Sequence, residues 1–579
     1  MTRNDILNGL QSLRAKEVSR IESNPHKPFK VGLVYPNTYF VGMSNLGLQI
    51  IYEEVNQRES SCGERYFLPP NSELRDYEKH RLPLMSVETQ RPLNECDVIG
   101  IDITFEMDYF NIPVLLKLGR VPVKRIHRIE RDPIVIAGGP CATFNPEPIS
   151  DFIDAFIIGE GEELVSRVLD VIEQGRNEQW LRSDILIALS KVGGVYVPAL
   201  YEPQFDEAGQ FVGYTFSETQ ANDVPKVTRH WKSLDTVGET VIVTDFTEFG
   251  AMYIVEVARG CGRHCRFCMA GYCYRTPRVR RLDLLKEGVD RAAALNKKVG
   301  LMGAAISDYP DIDELVTYIR SKGLRYSCAS LRADSLTQAV VDGLAASGQQ
   351  TITIAPEAGS DRLRRVINKG ISNEDMAKAV KLAAKAGIPH IRLYIMVGLP
   401  TETDEDILSI VSMAEDVYSY MQEAGCKGRL TLSINPFIPK PFTPFQWMPM
   451  AHQKEVTKKL NTIKKALSKN RRIEVLVESP KEAYIQGVLA RGDRRLGDII
   501  LAAVEAGGPK QFKRACSEFH YDMEGALYTE RGLEDPLPWD MLDMQLADGY
   551  LAAEWRRSLT EVYTAPCQVG CKRCGVCVG

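Results

Sequence analysis

Cys261, Cys265 and Cys268 follow one another as C-x3-C-x2-C. Thiolates are soft ligands, and three this close can each hold one iron of a [4Fe–4S] cluster. The fourth iron then keeps an open position, as a catalytic metal site requires. Gly260 and Gly262 let the loop turn tightly. A closed zinc site is the alternative, with His264 or Cys273 as fourth ligand. A second group, Cys567, Cys571, Cys574 and Cys577, reads C-x3-C-x2-C-x2-C. Four such thiols suit another [4Fe–4S] cluster, a structural zinc or a redox disulfide pair. The remaining cysteines (Cys62, Cys96, Cys141, Cys273, Cys328, Cys426 and Cys516) are scattered and read as small buried hydrophobes.

The elements that must position these thiols come next. At 579 residues the chain exceeds one compact core, so several domains are expected. With 44% hydrophobic and 25% charged residues it reads as an ordinary soluble globular protein, and a net charge of -5 gives no overall pull toward nucleic acid or acidic membrane. No stretch reaches the roughly 18 apolar residues of a membrane span. The first twenty residues show no export signal, so the expected location is cytoplasmic. Residues 1–29 hold an amphipathic helix carrying Ile6, Leu7, Leu10 and Leu13.

Residues 30–175 alternate apolar runs and helical stretches. Val31–Tyr35, Val98–Ile103, Ile134–Ala137 and Ile153–Ile158 read as buried parallel strands. They end in Thr104, in Gly138-Gly139-Pro140 and in Gly159-Glu160-Gly161, and Ser44 can cap a helix carrying Leu46, Leu48, Ile50 and Ile51. Ligands of open α/β sheets bind at such carboxyl ends, so this is a Rossmann-like domain with a crevice. Residues 176–248 read as a linker with a small β element.

From 249 to 470 strands are expected at Tyr253–Val257, Val299–Met302, Tyr326–Cys328, Thr351–Ile354, Ile391–Met396 and Leu430–Ile434. Ser372 with Asp375 and Thr403 open two of the intervening helices. Six strand–helix repeats predict a partial (β/α)6 TIM-type barrel. Residues 471–579 are read as a small α-rich region with the four-cysteine tail, after a possible strand at Ile473–Val477. The basic run from Lys454 to Arg472 reads as the solvated face of a helix with Val456, Leu460, Ile463 and Leu467 inward; the alternative is a stripe tracking RNA.

The stretch Val257–Cys268, placed after the first barrel strand, resembles the radical S-adenosylmethionine superfamily. The resemblance implies that the open iron binds the amino and carboxylate groups of S-adenosylmethionine, and that one-electron reduction releases a 5′-deoxyadenosyl radical. An external reductant of flavodoxin or ferredoxin type is implied as partner. Phe267 takes the place of the aromatic residue near the adenine. Arg332 would meet the carboxylate of S-adenosylmethionine, Glu357 the ribose or the amine, and Gly398-Leu399-Pro400 resembles the Gly-x-Pro turn near the adenine. The Gly-Gly-Glu-like stretch of the family is replaced by Gly303–Asp308. Arg275, Arg278, Arg280 and Arg281 could face S-adenosylmethionine or substrate.

The stretches Val34–Asn37, Met43–Gly47, Ala137–Pro140 and Ile158–Glu162 resemble the cobalamin-binding class of that superfamily. This implies Asn37, Ser44, Thr104, Gly138, Gly139 and Gly159 as cobalamin contacts. None of the eight histidines stands in an Asp-x-His-x-x-Gly loop, so bound cobalamin would have no protein histidine beneath cobalt. The alternative is a domain that binds no corrin and only docks the barrel. Three functions compete: cobalamin-dependent methylation of an unactivated carbon, a sulfur-inserting or other RNA- or peptide-modifying radical reaction, and a non-catalytic zinc or iron–sulfur RNA-binding protein.

Overall fold

The computed structural model describes residues 2–217, 224–328, 331–568 and 570–577. A six-stranded sheet runs in the order Ser61–Phe67, Phe29–Tyr35, Val98–Asp102, Ile134–Gly138, Ala155–Ile157, Val195–Tyr196. Every neighbouring pair is parallel except the last. The long apolar runs follow from burial on both faces: Val98, Ile99, Ile134 and Val135 are fully buried.

One strand, Ser61–Phe67, escapes apolar pattern reading because it carries Glu64 and Arg65 in its middle. Arg65 is nevertheless fully buried, between Glu17 (2.7 Å) and Glu88 (2.6 Å). Both carboxylates take hydrogen bonds from its guanidinium, which is the condition for burying such a charge. The sheet also runs past residue 175. Helices Leu164–Asn177 and Arg182–Ser190 lead to the edge strand Val195–Tyr196, and only then comes the hairpin Tyr201–Phe205/Phe211–Phe216.

Helix Leu46–Gln57 packs on this sheet. Its cap is Asn45, which accepts from the Leu48 amide at 2.8 Å, and not Ser44 as the sequence suggests. Ser44 instead donates to the Phe40 carbonyl and accepts from the Glu248 amide. Asn is as good a cap as Ser, so adjacent candidates are not separable by type.

The second sheet system is an open arc. Tyr253–Glu256, Val299–Met302 and Tyr326–Cys328 are parallel neighbours. Thr351–Glu357, His390–Val397, Leu430–Pro436 and Ile473–Val477 continue in parallel, joined to the first three through a bridge between Leu331 and Ile354. Ile473–Val477, expected as a strand of the C-terminal region, is thus a seventh strand of the arc, and no ladder among the described residues closes it.

The helices between strands start where the sequence places them. Ser372 with Asp375 and Thr403 with Asp406 form reciprocal capping boxes. Helix Gln453–Leu467 buries Val456, Leu460, Ile463 and Leu467 and turns its other lysines outward, while Lys459 pairs with Glu402 at 2.7 Å. No helix of the described residues is long and apolar enough to cross a membrane.

The residues after 480 do not continue the barrel. Helices Pro480–Arg491 and Leu496–Glu505 pack back on the N-terminal sheet and share its hydrophobic core. Asn145 donates to the carbonyls of Ala490 (3.0 Å) and Gly492 (2.9 Å), and Arg494 pairs with buried Glu147 at 2.9 Å. Strand Leu542–Asp543 pairs with Val227–Thr228.

Candidate functional site

The three-cysteine loop leaves the first arc strand and is pinched at its base by a short antiparallel pair, Ala258–Arg259 with Arg278–Val279. Gly260 sits at φ +77, where a Cβ would strike the Tyr274 carbonyl at 2.1 Å. The chain therefore crosses itself too closely there for any other residue. Arg266 anchors the loop from within: its side chain is buried, pairs with Glu554 at 3.2 Å and donates to the carbonyls of Arg365, Val366 and Val562.

Cys265 is buried and Cys261 and Cys268 are half-buried. Burial, then the neighbouring thiols Cys265 and Cys261, push the Cys268 pKa up to about 12. Burial followed by Cys265 also raises that of Cys261. Cys261 and Cys268 thus resist ionisation until a cation compensates them, and soft iron bound by thiolate suits this donor set. Cations flank them. Lys369 lies 5.8 Å over the Phe267 ring and pairs with Glu357 at 3.2 Å. Burial works against its charge, and Glu357 with Cys265 more than offsets that.

Phe267 borders an apolar group at the carboxyl ends of the strands, with Ala358, Leu399 and Phe437. Glu357 itself adopts φ +66, a strained conformation for a residue with a Cβ and one that clusters at functional sites. Arg332 stands on the same rim, held by Asp334 (2.9 Å) and the Lys369 carbonyl (3.2 Å). Gly398, at φ +82, lends its amide to Glu402 at 2.9 Å, with buried Pro400 completing the turn. The structure thus gathers Cys261, Cys265, Cys268, Phe267, Arg332 and Glu357 on one rim, and adds Lys369, which no spacing signal marks.

Asp308 of the Gly303–Asp308 stretch is engaged with Arg263 at 2.6 Å. The four arginines after the loop are likewise occupied. Arg278 binds Glu160, Arg280 binds Glu256, Arg281 pairs with exposed Asp283, and Arg275 turns toward the cysteine tail.

A cavity of about 550 Å³ opens where the N-terminal sheet meets this loop. Ser44, Thr104, Gly138, Gly139 and Gly159 line it from one side, and Ala258, Arg259, Gly260, Ala270, Met302 and Gly303 from the other. Asn37 does not reach it: its amide donates to Asp108 at 3.0 Å and its carbonyl caps the next residue.

The glycines differ in their reasons. A Cβ on Gly139 (φ +96) would meet Asp102 at 2.5 Å, and one on Gly159 (φ +98) the His230 carbonyl at 2.1 Å, so both serve protein packing. Only Gly138 leaves its Cβ position nearly free. Asp102 also lines the cavity, and burial alone pushes its carboxyl up to about 7.

The two halves are held by ions. Arg259 contacts Glu160 (3.1 Å), Glu162 (2.8 Å) and Glu256 (2.8 Å), which clamps the Gly159–Glu162 turn to the first arc strand. Burial opposes ionisation of Glu162, but Arg259 outweighs it and lowers its pKa.

The tail lies against the cluster loop. The Cys567 amide donates to the Gly262 carbonyl at 2.8 Å, and Asn368 exchanges hydrogen bonds with Thr564. Cys574 is buried beside Tyr272 and Tyr550. His264, between the first two loop cysteines, approaches Cys567 Sγ at 3.3 Å and the Tyr550 hydroxyl at 2.6 Å; burial and then Arg275 hold its pKa down to about 3, so it is neutral. Among the described residues no three or more His, Cys, Asp or Glu side chains are gathered as for one bound metal ion.

Comparison with known proteins adds the following. Residues 47–198 match the model for radical SAM proteins, N-terminal, and residues 255–414 that for the radical SAM superfamily. An uncharacterized protein of Methanocaldococcus jannaschii is 32% identical over 476 residues, 81% of this chain and 90% of the relative. Cytidylyl-2-hydroxyethylphosphonate methyltransferase of Streptomyces wedmorensis is 23% identical over 59% of this chain and 65% of that protein. A tRNA-2-methylthio-N(6)-dimethylallyladenosine synthase of Sulfurihydrogenibium is 26% identical over 46% of this chain and 67% of that protein. Among solved structures, the cobalamin-dependent S-adenosylmethionine radical enzyme OxsB with aqua-cobalamin bound aligns with a TM-score of 0.44 at 15% identity, covering 86% of this chain and 72% of OxsB.

Proposed function

Because this chain belongs to the radical SAM superfamily, and is therefore an enzyme, we propose that it methylates an unactivated carbon with the help of cobalamin held by its N-terminal domain. The observation that carries the reading is the shared cavity. Its far wall is the carboxyl edge of a Rossmann-like sheet, and its near wall is Ala258–Gly260, the residues leading into Cys261. Cys261 itself does not line the cavity, but its neighbour Gly260 does, so a ligand seated there lies next to the loop that would hold the cluster, and two reagents can be brought to one substrate. The lining residues include no histidine, which fits a corrin without a protein ligand from that residue type.

When bound, the cluster and cobalamin supply the electron for splitting S-adenosylmethionine and the methyl group respectively. The protein's own residues orient and enclose. Cys261, Cys265 and Cys268 would hold the cluster through their thiolates. Arg332 and Glu357 offer one cationic and one anionic handle on the rim, fitted to the carboxylate and to the amine or ribose of S-adenosylmethionine. Phe267, Leu399 and Phe437 give the adenine an apolar bed. Arg259 and its three glutamates keep the two halves of the cavity in register.

The test is anaerobic purification with hydroxocobalamin, followed by reduction with S-adenosylmethionine and mass spectrometry of candidate substrate pools. Expected are one corrin per chain, release of 5′-deoxyadenosine and a product heavier by one methylene. A Cys268→Ala protein should release none. Normal cleavage by that variant would overturn the cluster assignment, and a product heavier by sulfur would favour the sulfur-inserting reading that the tRNA methylthio synthase relative suggests.

A further inference from the structure

We propose that a second cavity, between the Tyr201–Phe205/Phe211–Phe216 hairpin and the C-terminal helices, binds a small zwitterion of the α-amino-acid class, with its carboxylate on Arg491 and Arg531. The cavity has a volume of about 420 Å³, enough for a ligand of that size, and shares no lining residue with the larger one.

The floor is cationic. Arg491 ends helix Pro480–Arg491 and is 1% exposed. Its Nε and Nη1 donate to the carbonyls of Ala526 (3.3 Å) and Met448 (2.6 Å), but Nη2 is buried with no hydrogen-bond partner. Arg531 stands beside it. Its Nη2 donates to the Arg491 carbonyl at 3.3 Å, and its buried Nη1 has no partner. Among the described residues neither guanidinium is hydrogen-bonded to a carboxylate.

Two like charges withdrawn from water side by side are destabilising until an anion meets them. Arginine cannot shed its proton to escape this. Burial and then Arg531 work against the Arg491 charge, and at Arg531 burial outweighs the attraction of Tyr521, Asp493, Asp540 and Asp535. The Trp539 ring, 5.5 Å from the Arg531 guanidinium, offers a π face but no counter-ion. Buried Asp493 is the natural partner, yet Arg495 takes both of its oxygens, at 2.9 and 2.7 Å. Arg495 is itself fixed over the rings of Phe205 (4.2 Å) and Tyr521 (5.2 Å). Two spare N–H donors and an uncompensated positive charge therefore remain at the floor, which is what an incoming carboxylate requires.

The mouth has the opposite sign. Asp522, Glu530 and Asp535 line the cavity and are exposed. Asp522 and Asp535 each accept from one backbone amide, of Gly525 and Gly532, through a single oxygen, and Glu530 has no partner among the described residues. This rim repels a polyanion such as a nucleoside triphosphate and attracts an ammonium group. Carboxylate inward and ammonium outward is the charge order of an amino acid.

The test is isothermal titration calorimetry on the full chain, purified without oxygen, with the twenty free L-amino acids, acetate and inorganic phosphate as probes. At least one amino acid should bind saturably, one per chain, at least about tenfold more tightly than acetate or phosphate. Arg531→Gln should raise that Kd at least about tenfold. Glu530→Gln combined with Asp535→Asn, both at the exposed rim, should weaken the amino acid and leave acetate unchanged.

No saturable binding by any amino acid, or acetate or phosphate binding as tightly, would overturn the proposal. So would an unchanged Kd in folded Arg531→Gln protein, since an amino acid lodged elsewhere, at the cluster rim for example, is indifferent to that residue. If Arg531→Gln does not fold, the rim double variant decides: an unaltered amino-acid Kd there rejects the site.

Discussion

Asp102 offers a quantitative check on the cavity. It ends the strand Val98–Asp102, lines the space between the two halves and has no hydrogen-bond or ion-pair partner among the described residues. Burial pushes its carboxyl from 3.8 to about 7. The folded protein therefore keeps the proton up to about pH 7 while the unfolded chain releases it near pH 4. Protonation favours folding, so the group leaves stability intact below pH 4 and erodes it as pH rises through that window.

At about 1.4 kcal/mol per unit the full penalty is at most about 4 kcal/mol, of which roughly 2–3 kcal/mol falls between pH 5 and pH 8. Asp102→Asn keeps the shape and removes the titration. Amide hydrogen exchange along this strand reports opening of the N-terminal domain without requiring the whole chain to unfold in one step. In the ligand-free protein, wild type should lose roughly 2–3 kcal/mol of protection from pH 5 to pH 8 that the variant retains. Asp108, pushed to about 6 by burial against the help of Asn37 and Asn111, titrates in both proteins and cancels. Equal losses in the two would refute the claim that Asp102 is unpaired and held protonated by its surroundings.

Gly139→Ala should lower stability by about 2–3 kcal/mol, read as a fall in melting temperature, because φ +96 and contacts at 2.5 and 2.7 Å leave no room for a methyl. Arg259→Ala breaks a largely buried network at a cost of about 3–5 kcal/mol; hydroxocobalamin retention should drop in equilibrium dialysis while the loop iron stays. Lys369→Met removes the cation beside Cys265 and strands Glu357; a potentiometric titration should find the loop cluster harder to reduce, and an unmoved potential would contradict the contact.

The sequence disclosed most where one physical rule acted alone. Parallel strands buried on both faces announced themselves as apolar runs, and Val299–Met302, Tyr326–Cys328 and Ile473–Val477 appear at the residues expected. The Ser372 and Thr403 starts rest on local hydrogen bonds and were equally legible. Tertiary pairing hid the rest. Ser61–Phe67 looks too charged for a core strand until Glu17 and Glu88 are seen around Arg65. Lys369 belongs to the site only because helix Asp361–Val366 turns back toward Cys265. Arg275, Arg278 and Arg280 read as ligand-facing by sequence nearness, yet each is taken up by protein contacts: Arg275 with the tail, Arg278 with Glu160 of the N-terminal half and Arg280 with Glu256 of the first arc strand. The cysteine spacing gave both thiol sets, but not that one rests on the other.

The return of residues 483–544 to the first sheet has a price in time. During synthesis the Rossmann-like half emerges hundreds of residues before the helices that complete its core, so it must wait with an oily face uncovered. A fragment that stops after the barrel should accordingly be sticky and poorly folded at its front end, although every strand of that front end is present. The middle of the polypeptide is, in this sense, an insertion between two portions of one core, and removing the back disables the front.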